Sequence, residues 1–247
     1  MKNISLSIVI PCYNEEARAE PALSKSIDYL KSNIKEPFEI IFVDDGSVDG
    51  TREFLGTVKE RYKDILIEVL SYPRNRGKGH AVKTGVLNAR GEKIIVTDAD
   101  FSVDLDETVK FVKFLDGYDV IVGSKKHLLT TTLNHQKGPR RILGKGFTLL
   151  TNLMLGLNFT DITCGFKGFR AKAGKDIFER QRLDRWAYDA ETLFLAKRLK
   201  YKALEVPVKW YHVEGSKVSP LADTFKSLKD LMLILLNYCH GKYNRKT

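Results

Sequence analysis

Short runs of β-branched and aliphatic residues at positions 6–10, 38–43, 66–70, 93–97 and 119–122 are separated by longer segments of helical periodicity. Leu23, Ile27 and Leu30 recur every three or four positions, as do Val109, Val112 and Leu115. A continuous apolar run predicts a strand buried on both faces, and the 3.6-residue recurrence predicts a helix laid over it. Their alternation predicts an α/β fold with a mostly parallel, Rossmann-like central sheet flanked by helices. After Ser124 the pattern changes to a basic loop, a helix over 142–155, a polar segment containing Asp161 and Cys164, and a strand over 203–210. A helix over 221–238 follows, with Leu228, Leu231, Leu235 and Leu236 on one side. No repeat or linker interrupts the chain, and 247 residues suit one substantial core.

In an open parallel sheet, ligands lie beyond the carboxyl ends of the strands, so the residues after each run are where chemistry is expected. They read Pro11-Cys12-Tyr13-Asn14-Glu15-Glu16, Asp44-Asp45-Gly46-Ser47 and Asp98-Ala99-Asp100. Three acidic strand ends on one edge describe a site for a nucleotide and a divalent cation. Side chains at i and i+2 of a strand point the same way, so Asp98 and Asp100 are expected to face one Mg2+ or Mn2+ ion. A solvated turn is the alternative, made less attractive by the two neighbouring acidic ends. For Asp44 and Asp45, a turn or cap role competes with acceptance of hydrogen bonds from ribose or base, while Asp49 and Thr51 are read as caps. The glycine-rich segment 74–80 precedes a helix expected from about Ala81 and would offer backbone N–H groups and Lys78 to a phosphate. It fits neither a P-loop nor a dinucleotide fingerprint.

Charge narrows the partners. The formal net charge of +10 favours anionic ones, and basic residues gather between Lys125 and Lys145 and again at Lys242, Arg245 and Lys246. Clusters beside apolar helices suit a membrane surface better than nucleic acid, for which the interleaved aromatic platform is missing. No signal peptide precedes the first strand, and the longest apolar runs fall short of the ~20 residues of a spanning helix. The expected setting is therefore cytoplasmic, on the face of a membrane. Cys12, Cys164 and Cys239 form no CxxC pair, and the five histidines share no metal spacing, so no zinc site and no Ser-His-Asp triad is expected.

The segments 8–16 and 43–47 with Asp98-Ala99-Asp100 resemble the family 2 inverting glycosyltransferases of GT-A fold. Gly123-Ser124-Lys125, the segments 161–167 and 185–191, and Gly215-Ser216-Lys217 resemble one branch of it, the dolichyl-phosphate β-glucosyltransferases. The resemblance runs from Ser7 to about Tyr238 and implies a single GT-A domain, 1–247. Its parts would be a nucleotide-sugar half 1–124, an acceptor half 125–220 and a candidate interfacial helix 221–240. It implies that Pro11, Tyr13, Glu15 and Asp44 hold the nucleoside, that Lys78 borders it, and that Asp98 contacts ribose or metal. Asp100 would be the principal metal ligand, with Ser102 standing where related mannosyltransferases have a glutamine. Lys125 and Arg140, helped by Arg141, would bind the acceptor phosphate, and Asp189 would orient the sugar or the acceptor-binding Arg rather than remove a proton, because a phosphate is already ionised. The implied reaction moves glucose from UDP-glucose to dolichyl or polyprenyl phosphate. GDP-mannose or UDP-N-acetylglucosamine remains open as donor, and an inactive binding relative is the other class.

Overall fold

The computed structural model describes residues 4–126, 130, 138–211 and 220–244, without the side chains of residues 17–22, 138–143, 220–225 and 227. Along the chain run β1 (Leu6–Cys12), α1 (Glu16–Asn33), β2 (Phe38–Asp44), α2 (Thr51–Arg61), β3 (Leu66–Ser71), α3 (Lys78–Asn88) and β4 (Lys93–Val96). Then come α4 (Glu107–Phe114), β5 (Val120–Ser124), α5 (Gly138–Leu155), β6 (Lys167–Arg170), α6 (Ala171–Arg180), α7 (Tyr188–Arg198), β7 (Ala203–Pro207) and α8 (Pro220–Cys239).

The seven strands lie in one sheet in the order β3-β2-β1-β4-β6-β5-β7. Every pairing is parallel except those of β6, which runs antiparallel between β4 and β5. Alternate residues of the central strands enter two cores. Val9, Ile41, Val43, Ile94 and Val96 face α3, α6 and α7, whereas Ile8, Ile10, Ile40, Phe42 and Ile95 face α1, α2 and α4. Burial on both faces explains why these strands carry no polar alternation.

Several elements differ from the sequence reading. Strand β6 was not anticipated, because Lys-Gly-Phe-Arg has no apolar run, and its pairing partners lie far away in sequence. The last strand stops at Pro207, and Trp210 instead makes an isolated bridge with Val103. Helix α3 begins at Lys78, three residues earlier than expected, and α5 begins at Gly138 rather than near 142. Strand β4 ends at Val96, so Asp98 and Asp100 belong to a turn and not to the pleat.

Candidate active site

The order β2-β1-β4 brings the three acidic strand ends together on one edge, with Cys12 in register with Asp44. The first two loops are stitched to each other. Asn14 donates its amide to Ser47 Oγ at 3.0 Å and accepts at its Oδ1 from the Val48 amide, and the Glu15 amide donates to Thr51 Oγ1 at 2.8 Å. Asn14 sits at φ 52°, a region that Asn tolerates better than most residues. Pro11, Tyr13 and Glu15 line this joint, each partly accessible. Asp49 accepts from both the amide and the hydroxyl of Thr51, but the N-cap of α2 is Gly50 and no side chain caps it, so the cap reading of Asp49 and Thr51 is corrected to a local turn that precedes the helix.

Adjacent Asp44 and Asp45 do different work. Asp44 is buried and accepts the Ser47 amide at 3.0 Å. Asp45 accepts from Tyr72 Oη, Asn75 Nδ2 and the amides of Arg76 and Gly77, at 2.7 to 3.2 Å. The anion that the glycine-rich segment binds through these two amides is therefore a carboxylate of the protein itself. The amides of His80 and Ala81 are also taken, by Asp184 O and Gly77 O. The phosphate-cradle reading of segment 74–80 is corrected to that extent: the amides of Arg76, Gly77, His80 and Ala81 serve the protein itself. The glycines serve close packing. A Cβ on Gly77 would stand 2.5 Å from Asp184 O, and one on Gly79 would stand 2.6 Å from Leu183 O.

The turn after β4 points its two carboxylates at different partners. Asp98 Oδ1 lies 2.5 Å from Lys78 Nζ, while Asp100 Oδ1 accepts the Ser102 amide at 3.0 Å. Between Asp100 and Ser102, Phe101 is held at φ 47°, an unusual and costly conformation for a bulky residue. The turn is pinned from beneath, since Tyr211 donates its amide to Ser102 O and a Cβ on Gly165 would stand 2.3 Å from Asp98 Oδ2. Burial pushes the Asp98 carboxyl up, but the charges of Lys78, Lys125 and Lys167 outweigh it and hold the group below the usual carboxylate range.

Lysines dominate the other side of the edge. A small cavity between Thr97, Asp98, Ser102, Lys125, Cys164 and Gly165 joins the two sides. The Lys125 amide donates to Asp161 Oδ2 at 3.1 Å, and its ammonium lies 6.0 Å from the Trp210 ring centroid. Lys126 reaches Gly144 O and Thr148 Oγ1, which ties α5 to the end of β5. Lys167 is almost fully buried and donates to Cys164 O at 2.6 Å and to Asp189 Oδ1. Asp189 is thus already paired with a buried cation. Burial pushes the Cys164 thiol up to about 11, so it is a packed side chain and not a reactive one.

Lys78, Asp98, Asp100, Lys125 and Asp189 therefore converge, with Asp44 on the same edge two strands from β4. Arg140 and Arg141 lie in the first turn of α5, with their side chains outside the described residues, as is Gly215-Ser216-Lys217. Three residues were not singled out in the sequence: Lys167, Asp45 as a scaffold, and Trp186. No local pattern marked Lys167, because the strand that carries it has no apolar run.

A mostly parallel sheet with a single antiparallel insertion and an acidic, lysine-bordered turn after β4 defines a glycosyltransferase of GT-A fold. The chain belongs to glycosyl transferase family 2, whose sequence model matches residues 7–178. It is 33% identical over 255 residues to dolichyl-phosphate beta-glucosyltransferase of Dictyostelium discoideum, covering 99% of this chain and 78% of the relative. It is 34% identical to the Mus musculus protein of the same name, covering 98% of this chain and 78% of that one. Glucosyl-3-phosphoglycerate synthase from Mycobacterium tuberculosis, solved with UDP, superposes with TM-score 0.64 at 17% identity, covering 96% of this chain and 80% of that one. A mannosyltransferase from Pyrobaculum calidifontis in complex with GDP-Man and Mn2+ superposes with TM-score 0.55 at 18% identity, covering 100% and 80%. These two likenesses support the fold.

Proposed function

We propose that this glycosyltransferase moves glucose from UDP-glucose to dolichyl phosphate or another polyprenyl phosphate, with inversion at the anomeric carbon. The observation that carries the reading is the strained turn bearing Asp98 and Asp100, flanked by Lys78 and Lys125. Donor and acceptor are both anionic, and an edge with carboxylates on one side and lysines on the other suits a metal-bound diphosphate meeting a phosphate. Pro11, Tyr13, Glu15 and Asp44 contact the nucleoside, and Lys78 and Asp98 border the diphosphate and ribose. Lys125, Arg140 and Arg141 receive the acceptor phosphate, which sets an acceptor half over 125–220 beside the nucleotide-sugar half over 1–124.

The residues fit Mg2+ or Mn2+. Among the described residues no cluster of three His, Cys, Asp or Glu side chains is close enough to hold a metal. Mg2+ needs only one or two carboxylates when substrate phosphates complete its shell. Asp100 would hold the ion, with Asp98 beside it, and the ion would supply charge neutralisation of the departing diphosphate. Asp189 has no proton to take from an ionised phosphate. Its charge, fixed by Lys167, orients the reacting groups, and alignment supplies much of the rate.

Membrane docking is part of the same proposal. Among the described residues no helix is long and apolar enough to cross a bilayer. Helix α8 seats Leu231 and Ile234 in the protein, while Met232, Leu233 and Leu236 stay exposed, as do Leu149 and Leu153 of α5, the helix that packs on it, at 72% and 79%. Lys145, Lys226 and Lys229 are exposed on the same two helices. This arrangement suits the cytoplasmic face of an anionic bilayer. The chain should float with anionic vesicles, less so in high salt, and Leu153→Glu with Leu236→Glu should remove most of the binding. Unchanged flotation of that double variant would refute the surface.

Incubating the purified chain with Mg2+, a polyprenyl phosphate and a panel of labelled UDP-glucose, GDP-mannose and UDP-N-acetylglucosamine tests the reaction. Glucosyl lipid from UDP-glucose alone is expected. Product from another sugar would correct the donor, and nucleotide-sugar binding without product from any donor would leave a binding relative.

A further inference from the structure

One large aromatic side chain at this edge is not accounted for by packing. Trp186 is 42% exposed, although Ala187, Tyr188 and Asp189, which follow it directly, are buried. Its position is nevertheless fixed. The stretch 183–185 closes onto Gly77 and Gly79 at distances that leave no space for a side chain on either glycine, and the His80 amide donates to Asp184 O at 3.0 Å. The indole is thus an exposed ring on an anchored backbone.

The ring also has a defined neighbour. Lys78 Nζ lies 5.5 Å from its centroid and 2.5 Å from Asp98 Oδ1, so one ammonium stands between the indole and the acidic turn. The interaction with Lys78 steadies the ring, since a cation over an indole is attracted to its face. A rigid aromatic surface one ammonium away from a diphosphate edge lies where the group attached to that diphosphate must sit. A hexose presents a face of C–H groups while its hydroxyls project around the ring, so an indole can cover that face without stripping the hydroxyls of their partners.

We propose that Trp186 is a specificity-determining residue, its indole packing against the hexosyl ring of the bound nucleotide sugar while Lys78 meets the diphosphate. The inference rests on the nucleotide-sugar reading above. It makes a distinction that a purely supporting role would not: a ring that only steadied Lys78 would affect the nucleoside diphosphate as much as the nucleotide sugar.

Calorimetric titration of the full chain with UDP and with UDP-glucose, in the presence of Mg2+, tests it. Trp186→Ala should weaken UDP-glucose on the order of tenfold and leave UDP unchanged, with Trp186→Phe in between. Circular dichroism will verify that each variant is folded, and the unchanged UDP affinity is itself a check on the site. Equal weakening of both ligands, or no weakening of either, would overturn the proposal. If the wild-type chain binds neither UDP nor UDP-glucose, the donor reading fails first. If it binds GDP-mannose instead, the same comparison between GDP and GDP-mannose decides the role of Trp186.

Discussion

The two sides of the edge hold their charged groups in opposite ways. Beside β2 and β4, Asp44 and Asp100 each accept a single amide among the described residues, from Ser47 and Ser102. Beside β5 and β6, Lys167 and Asp161 are buried and engaged on every side: Lys167 by Ile162 O, Cys164 O and Asp189, and Asp161 by the Lys125 amide and both donors of Thr163. Asp100 combines spare acceptor capacity with partial exposure and is positioned to meet a ligand, while Asp44 has the capacity but is buried. A group whose hydrogen-bonding capacity is used internally holds the frame. Asp45 shows that the distinction follows geometry and not location, because it sits on the acidic side yet is consumed by the loop at 72–77.

The largest expected effect breaks the ligand-facing side alone. Asp100→Asn should reduce turnover by at least a hundredfold, on the order of what losing a metal-held charge costs, while the unfolding midpoint stays close to wild type. EDTA should do the same to the unaltered chain. Full activity in EDTA would remove the ion from the reading.

Next comes the frame. Lys167 and Asp189 form an ion pair in which both side chains are under one tenth exposed. Removing one partner leaves the other charged and buried, so Lys167→Met should cost about 3–5 kcal/mol of stability, measured by urea denaturation. Replacing both, by Lys167→Met with Asp189→Leu, should recover part of that loss. A single variant as stable as wild type would mean that the pair is not desolvated. Asp45→Asn belongs to the same class with a smaller effect, about 1–3 kcal/mol, because Tyr72, Asn75 and two amides lose a charged acceptor.

The sequence made one side much more legible than the other. Strand ends β1, β2 and β4 follow apolar runs in sequence and neighbour one another in the sheet, so local pattern and site coincide there. On the lysine side the decisive element is β6, four residues with one large apolar side chain, inserted antiparallel by pairing with strands far earlier in the chain, Lys93 against Arg170 and Val120 against Phe169, 77 and 49 residues apart. No local periodicity encodes such a strand, and a buried lysine contradicts the usual placement of its type. The Asp98-Ala99-Asp100 pattern was visible, but the divergence of its carboxylates was not, because β4 ends two residues before Asp98. The sequence pattern gives helix α8 one leucine stripe. The structure divides it, with Leu231 turned inward and Leu236 outward, since α5 and α7 cover one face of the helix only.

The smallest effect compares two buried carboxylates whose titration has opposite sign. Burial pushes Asp161 up, but the charges of Lys125 and Lys126 and the Lys125 amide outweigh it, so its folded pKa lies below the ordinary value. Burial of Glu191 prevails over the bonds that it accepts from Tyr243, Leu183 and Arg182, so its folded pKa lies above. The unfolded chain therefore binds a proton at Asp161 more readily than the folded one does, and the reverse holds at Glu191. Asp161 contributes stability that is present above the unfolded carboxylate value of ~3.9 and is lost as pH falls through its lower folded value. Glu191 contributes stability that is present below its unfolded value of ~4.3 and is lost as pH rises through its higher folded value. Urea midpoints measured from pH 7 to pH 3 should thus respond in opposite directions: Asp161→Asn should flatten the acid loss of stability, and Glu191→Gln should steepen it. Steepening by Asp161→Asn would show that Lys125 and Lys126 do not hold Asp161 in its charged form, and the frame on the lysine side would then rest on the Lys167 pair alone, whereas flattening by Glu191→Gln would show that burial does not prevail at Glu191.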